Sequence, residues 1–113
     1  RWNARFELHG NVLVDCAHNS RAFALLFEEI KRLHYGRLIM VVGFSKGKRV
    51  REIATMIEQN ADSVILTAAA NKRAASIQEI EKYFSHPILI KNPREALRYA
   101  TSHASRNDLI VVA

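Results

Sequence analysis

Apolar positions along the chain follow two rhythms. Phe23, Leu26, Phe27, Ile30 and Leu33 recur at helical spacing and predict an amphipathic helix over residues 19–34, with Gly36 as its stop. Residues 37–43 (RLIMVVG) are almost continuously apolar, as a strand buried on both faces of a sheet must be. The two rhythms then alternate. Val50, Ile53, Ala54 and Ile57 mark a second helix and residues 63–67 (SVILT) a strand. Ile77, Ile80 and Phe84 form the inward side of a third helix, opened by the capping-box spacing Ser76-Ile77-Gln78-Glu79. Residues 87–90 start a strand. Asn92-Pro93-Arg94-Glu95 supplies an N-cap, a proline at the first helical position and a first-turn carboxylate for a fourth helix, and residues 108–113 read as a last strand. Ahead of all these, residues 5–9 and 11–15 flank the turn Gly10-Asn11, a pattern that predicts an antiparallel hairpin.

Strands separated by single helices give βαβ crossovers, which make parallel neighbours and place helices over the sheet. The expected fold class is therefore α/β. It is a Rossmann-like three-layer domain with a mostly parallel sheet of about six strands, an N-terminal antiparallel hairpin, and helices on both faces. Sheets of this kind bind ligands outside the carboxyl ends of their strands. That rule selects the loops 16–19, 44–49, 68–75 and 91–92.

Composition narrows the picture. The chain has 113 residues, 49% hydrophobic and 25% charged, which suits one ordered domain. One cysteine excludes an internal disulfide. No apolar run approaches the ~20 residues that span a bilayer, so no membrane role is expected. The sequence begins Arg1-Trp2-Asn3 and ends within strand-like residues, which reads as a piece of a longer protein. The net charge is +6, from 17 Lys plus Arg against 11 Asp plus Glu. Lys46, Lys48, Arg49, Lys72, Arg73 and Lys91 all fall in the selected loops, and those loops contain no acidic residue. A polyanion at this edge fits that placement. Phe44 is the one aromatic interleaved with these cations, which argues against nucleic acid recognised by stacking.

Within the loops, Asp15-Cys16-Ala17-His18-Asn19 follows an apolar strand and precedes a helix. Asp15 could accept hydrogen bonds from ribose hydroxyls, and His18 could lie near phosphates at the helix N-terminus. Asp15 and Asn19 could equally be helix caps, with His18 solvated. Gly43-Phe44-Ser45-Lys46-Gly47-Lys48-Arg49 lacks the glycine spacing and the Ser/Thr of a P-loop. Arg73 could fork onto a carboxylate or phosphate, or form an exposed basic turn. His9, His34, His86 and His103 have no metal-ligand spacing.

Trp2-Asn3-Ala4-Arg5-Phe6-Glu7, followed by Val12-Leu13-Val14-Asp15-Cys16-Ala17-His18-Asn19, resembles the C-terminal domain of folylpolyglutamate synthase/dihydrofolate synthase, in the Mur ligase superfamily. A strand ending in glycine before a basic loop, Thr67 ahead of Arg73-Ala74, and the closing Asp108-Leu109-Ile110-Val111-Val112 agree with it. The resemblance implies that residues 1–113 are one Mur-ligase-type domain of a longer cytoplasmic ligase. A preceding P-loop ATPase domain would hold ATP phosphates and Mg²⁺. Dihydropteroate or tetrahydrofolate would be activated as an acyl phosphate and attacked by L-glutamate. The resemblance carries ATP contacts onto Arg5, Asp15 and His18, with Arg5 and Asp15 on opposite sides of one nucleotide, and a weaker substrate role onto Arg73 beside Lys46 and Lys72. It places no catalytic residue in this fragment, which alone is expected to be inactive. Ala4 and Cys16 stand where the family pattern has glycine. Two alternatives stay open: a cell-wall precursor ligase of the same superfamily, and a stand-alone basic module binding nucleotide or nucleic acid.

Overall fold

The computed structural model describes residues 7–15, 17–47, 49–69 and 71–113, with the backbone alone for residues 7–9. Their secondary structure runs β1 (Glu7–His9), β2 (Val12–Val14), α1 (Ser20–Ile30), β3 (Leu38–Val42), α2 (Val50–Asn60), β4 (Ser63–Leu66), α3 (Ile77–Ile80) with a following 3₁₀ turn (Glu81–Tyr83), β5 (Ile88–Leu89), α4 (Pro93–His103) and β6 (Leu109–Val112). The strands form one six-stranded sheet in the order β1-β2-β6-β3-β4-β5. β1 and β2 pair antiparallel across the turn at Gly10, whose φ of 66° suits glycine. Every other pairing is parallel.

The layering follows from the order of connections. The crossovers β2→β3, β3→β4 and β4→β5 all step in one direction along the sheet, and β5→β6 steps back. With right-handed crossovers, the three outward helices share one face and the returning helix takes the other. α1, α2 and α3 accordingly pack with Leu13, Met40, Val42, Leu66 and Val111. α4 packs alone against Ile39, Val41, Ile65 and Ile110, through Ala96 and Ala100. These two alanines are one helical turn apart and completely buried, so the helix backbone comes close to the strands. All five residues of β3 are buried, as its unbroken apolar run requires.

The caps expected at Ser76 and Asn92 are present, each accepting a backbone N–H of its own helix, and Ser76 with Glu79 closes a capping box. Asn19, one of the two readings left open for its loop, caps α1 in the same way. Two expectations are corrected. α1 ends at Ile30, because Arg32 and Leu33 donate to the carbonyls three residues back and tighten the last turn. Gly36 is not a helix stop: its N–H donates to the Asn107 carbonyl, and a Cβ there would lie 3.3 Å from Asp108 Oδ1.

That contact belongs to a polar lock at the amino end of the sheet. Asp108 is buried. It accepts hydrogen bonds from the Arg37 guanidinium at 2.8 and 3.2 Å, and from the N–H groups of Arg37 at 3.0 Å and Ser105 at 2.8 Å. The Arg37 side chain and these N–H groups hold the Asp108 carboxyl at a pKa of about 2. The lock joins the starts of β3 and β6 and leaves the opposite, carboxyl edge free for ligands.

Candidate functional site

The carboxyl ends of β2, β6, β3 and β4 open into a cleft of about 350 Å³. Phe23, Val41, Phe44, Ile53 and Val112 make its walls largely apolar, and Asp15, His18, Ser45, Thr67 and Asn71 bring polar groups to it. Asp15 is fixed at the end of β2, where its N–H continues the ladder to the Val112 carbonyl at 2.9 Å. The apolar strand ahead of it is what brings a carboxylate to the cleft. The cap of α1 is Asn19, whose Oδ1 accepts the Ala22 N–H at 2.8 Å. His18 is exposed and lies immediately before the cap. No acidic residue stands in the first turn of α1, and a helix N-terminus offers positive partial charge to an anion.

The loops after β3 and β4 form the other wall. Gly43 permits their closeness: a Cβ on it would lie 2.8 Å from the Ala69 nitrogen and 3.0 Å from the Thr67 carbonyl oxygen. Beyond Gly43 the loops pair as a short antiparallel bridge at Ser45 and Ala74. Lys46 N–H donates to the Arg73 carbonyl at 2.6 Å, and Ala75 N–H to the Phe44 carbonyl at 2.8 Å. Gly47 turns the chain with a φ of 83°. The buried Thr67 hydroxyl donates to the Lys91 carbonyl at 2.9 Å, which ties in the strand end after β5.

Asp15 and His18 thus meet in one cleft. Lys46, Lys72 and Arg73 do not line it; they are exposed on the adjoining loops and make a rim. Glu79 moderates that rim. Its carboxyl is held below its ordinary range first by the Ser76 hydroxyl and N–H, with smaller attractions from Lys46 and Lys82. Arg5, Cys16 and Lys48 lie outside the described residues. Gly43, Ser45 and Thr67 also line the cleft, and their place just after apolar strands is a signal that the sequence carries, whereas Asn71 reaches the cleft from five residues beyond β4. Among the described residues, no group of three or more His, Cys, Asp or Glu is placed to hold a metal ion, and no helix is long and apolar enough to cross a membrane.

Comparison with known proteins gives this site a context. The chain is 36% identical over 113 residues to a UDP-N-acetylmuramoyl-L-alanyl-D-glutamate–2,6-diaminopimelate ligase of Coxiella burnetii, a match covering 90% of the chain and 23% of that protein. It is 28% identical over 118 residues to UDP-N-acetylmuramyl-tripeptide synthetase 2 of Oceanobacillus iheyensis, covering 96% and 24%. The chain therefore spans about a quarter of the length of these relatives. In fold it is similar to a ligand-free bifunctional folylpolyglutamate synthase/dihydrofolate synthase of Yersinia pestis, with a TM-score of 0.90 at 20% identity over 99% of the chain and 28% of that one. It is also similar to Escherichia coli FolC in complex with ADP, with a TM-score of 0.87 at 21% identity over 96% and 27%. The model of the Mur ligase, glutamate ligase domain matches residues 4–113, and the chain belongs to that family.

Proposed function

We propose that this chain is the C-terminal domain of an ATP-dependent ligase, closing over a nucleotide held by a preceding P-loop domain. The observation that carries the reading is the cleft in which Asp15 and His18 share a wall with the N-terminus of α1. In this reading the Asp15 carboxylate accepts ribose hydroxyls, His18 and the first turn of α1 face phosphate oxygens, and Arg5 approaches from the opposite side. The chemistry is activation of a carboxylate as an acyl phosphate and attack on it by an amino-acid amine, with the charge that develops met by positioned cations and N–H groups. The described residues do not by themselves fit a divalent metal site. Mg²⁺ would then be held by the preceding domain. Lys46, Lys72 and Arg73 suit an anionic substrate at the rim.

Two substrate pairs are compatible with this cleft. A folate acceptor, dihydropteroate or tetrahydrofolate, with L-glutamate is supported by the Asp15-Cys16-Ala17-His18-Asn19 run and by the fold likeness to folylpolyglutamate synthases. A UDP-muramoyl-peptide acceptor is favoured by the 36% identity to a diaminopimelate-adding ligase. Either reaction belongs to the cytoplasm, where ATP and these precursors are available. The test is ligation by the full-length polypeptide with each acceptor and its amino acid, alongside ATP calorimetry. Asp15→Ala and Arg5→Ala are expected to weaken nucleotide binding about tenfold or more, the size of a hydrogen bond made with a charged group. Unchanged affinity and turnover in both variants would remove these residues from the site.

A further inference from the structure

Away from the cleft, the groove between α2 and the 3₁₀ turn holds a second cavity, of about 340 Å³, lined by Arg51, Thr55, Lys82 and Tyr83. Tyr83 packs against the core and carries both cations. The Arg51 guanidinium carbon lies 5.3 Å from its ring centroid and the Lys82 ammonium 5.4 Å. Each contact is attractive, but two like charges over one ring repel each other. The nearby carboxylates are committed elsewhere. Arg51, Thr55 and Glu58 share one stripe of α2, and Glu58 Oε1 accepts the Ser85 N–H at 2.9 Å and the Ser85 hydroxyl at 2.6 Å. Glu52 accepts the Ser20 hydroxyl of α1, and Glu79 accepts the Ser76 N–H and hydroxyl. Glu81 does not line the cavity. Among the described residues, neither Arg51 nor Lys82 has an ion-pair partner, and the Tyr83 hydroxyl has no hydrogen-bond partner. The Glu58–Ser85 contact also fastens the end of the 3₁₀ turn to α2, and the buried Phe84 packs on Phe44. The ring that carries the two cations is thus held in place before any ligand arrives.

We propose that this groove is an anion site that takes a phosphate group, free or carried by a small molecule, on the Arg51 guanidinium, the Lys82 ammonium and the Tyr83 hydroxyl. Two cations match the charge of a phosphate dianion, and three donors match its three terminal oxygens. A carboxylate offers one charge and two oxygens. Arginine forks onto two phosphate oxygens and lysine acts as a point charge. The Thr55 hydroxyl donates to the Arg51 carbonyl at 2.9 Å and plays no donor part. A bound dianion replaces the repulsion between Arg51 and Lys82 with two attractions. Both cations are exposed, so the binding is screened by salt. The groove shares no lining residue with the cleft, and the proposal does not depend on the ligase reading.

The test titrates the full-length polypeptide with inorganic phosphate and, separately, with ribose 5-phosphate, at an ionic strength held constant with chloride. The readout is the NMR shift of the Lys82 and Tyr83 amides, which reports this groove and not the cleft. Saturating shifts are expected with at least one of the two probes. Arg51→Gln and Lys82→Gln should each weaken binding about three- to tenfold, the scale of a charge-assisted hydrogen bond at an exposed site. Arg51→Lys, which keeps the charge, should weaken it less than Arg51→Gln. Tyr83→Phe keeps the ring and loses one donor, and should weaken it about two- to fivefold. Tighter binding of ribose 5-phosphate would assign the site to a phosphorylated metabolite, and equal or tighter binding of inorganic phosphate to the free ion; either result supports the site. The absence of a saturating shift with both probes in the wild type, or the same shift with added chloride alone, would overturn it. So would an equal loss in Arg98→Gln, an exposed cation on α4 outside the groove, because the effect would then be one of net charge.

Discussion

Replacing Gly43 by alanine tests how tightly the end of β3 is held against the chain leaving β4. The added Cβ would sit 2.8 Å from the Ala69 nitrogen, 3.0 Å from the Thr67 oxygen and 3.1 Å from the Ala68 carbonyl carbon. All three are backbone atoms, so no side chain can swing aside. Thr67 N–H is bonded to the Val42 carbonyl and Ala68 N–H to the Lys91 carbonyl, both at 3.0 Å, so the segment cannot yield without straining the sheet. Overpacking of this kind costs about 1–3 kcal/mol. Alanine also narrows the unfolded ensemble, which returns about 0.4–1 kcal/mol. At the midpoints of these two ranges the net loss is roughly 1.3 kcal/mol, and it does not exceed about 2.6 kcal/mol. A chain of 113 residues has an unfolding entropy near ~240 cal/mol/K, so each kcal/mol lowers Tm by about 4 °C. Thermal unfolding followed by circular dichroism should therefore show Tm down by about 5 °C, and by no more than ~10 °C. A second consequence separates this cause from general weakening. Residues 67–69 line the cleft, so nucleotide affinity measured well below Tm should fall as well. An unchanged Tm with unchanged affinity would refute the close approach at Gly43.

Asp108, with its pKa depressed to about 2 against an ordinary 3.8, contributes stability that is fully present above the unfolded value and is lost as pH falls towards the folded one. The difference in Tm between wild type and Asp108→Asn should shrink from pH 5 to pH 2, and a constant difference would contradict the lock. Asn19→Ala removes the α1 cap and should cost about 1 kcal/mol, or ~4 °C in Tm, read by thermal melts. Leu13→Ala, at a fully buried site between β2 and the α1 layer, should cost about 2–5 kcal/mol, read by urea unfolding with an unchanged m-value.

Local chemistry in the sequence predicted local structure well. The caps at Ser76 and Asn92 are set by residues three positions apart, and each is where the spacing placed it. The run Leu38–Val42 declared a two-faced burial that the fold fulfils. Contacts across long stretches of chain were not visible. Arg37 and Asp108 are 71 positions apart, and no periodicity links them. Asn71 meets Ser45 over 26 positions because two parallel strands end side by side. The site was partly readable for the same reason: Asp15 and His18 sit directly at a strand end and a helix start. The distance of Lys46, Lys72 and Arg73 from the cleft lining depends on how two loops pair, which is a tertiary fact.

The sheet order has a consequence for how the domain assembles. β6 comes last in sequence yet lies between β2 and β3, hydrogen-bonded to both. During synthesis the hairpin and the β3–β4–β5 segment can each form early contacts, but they stay separate half-sheets with unsatisfied edges until Leu109–Val112 arrives. Closing the sheet is then a long-range event with a substantial loop-closure cost, and it should be the slow step of folding. The cleft, whose walls come from strands on both sides of β6, cannot exist before that step. A ribosome-bound chain cut just short of Leu109 would thus expose two sticky strand edges, and it is the form in which this domain would most readily be held by a chaperone or lost to aggregation.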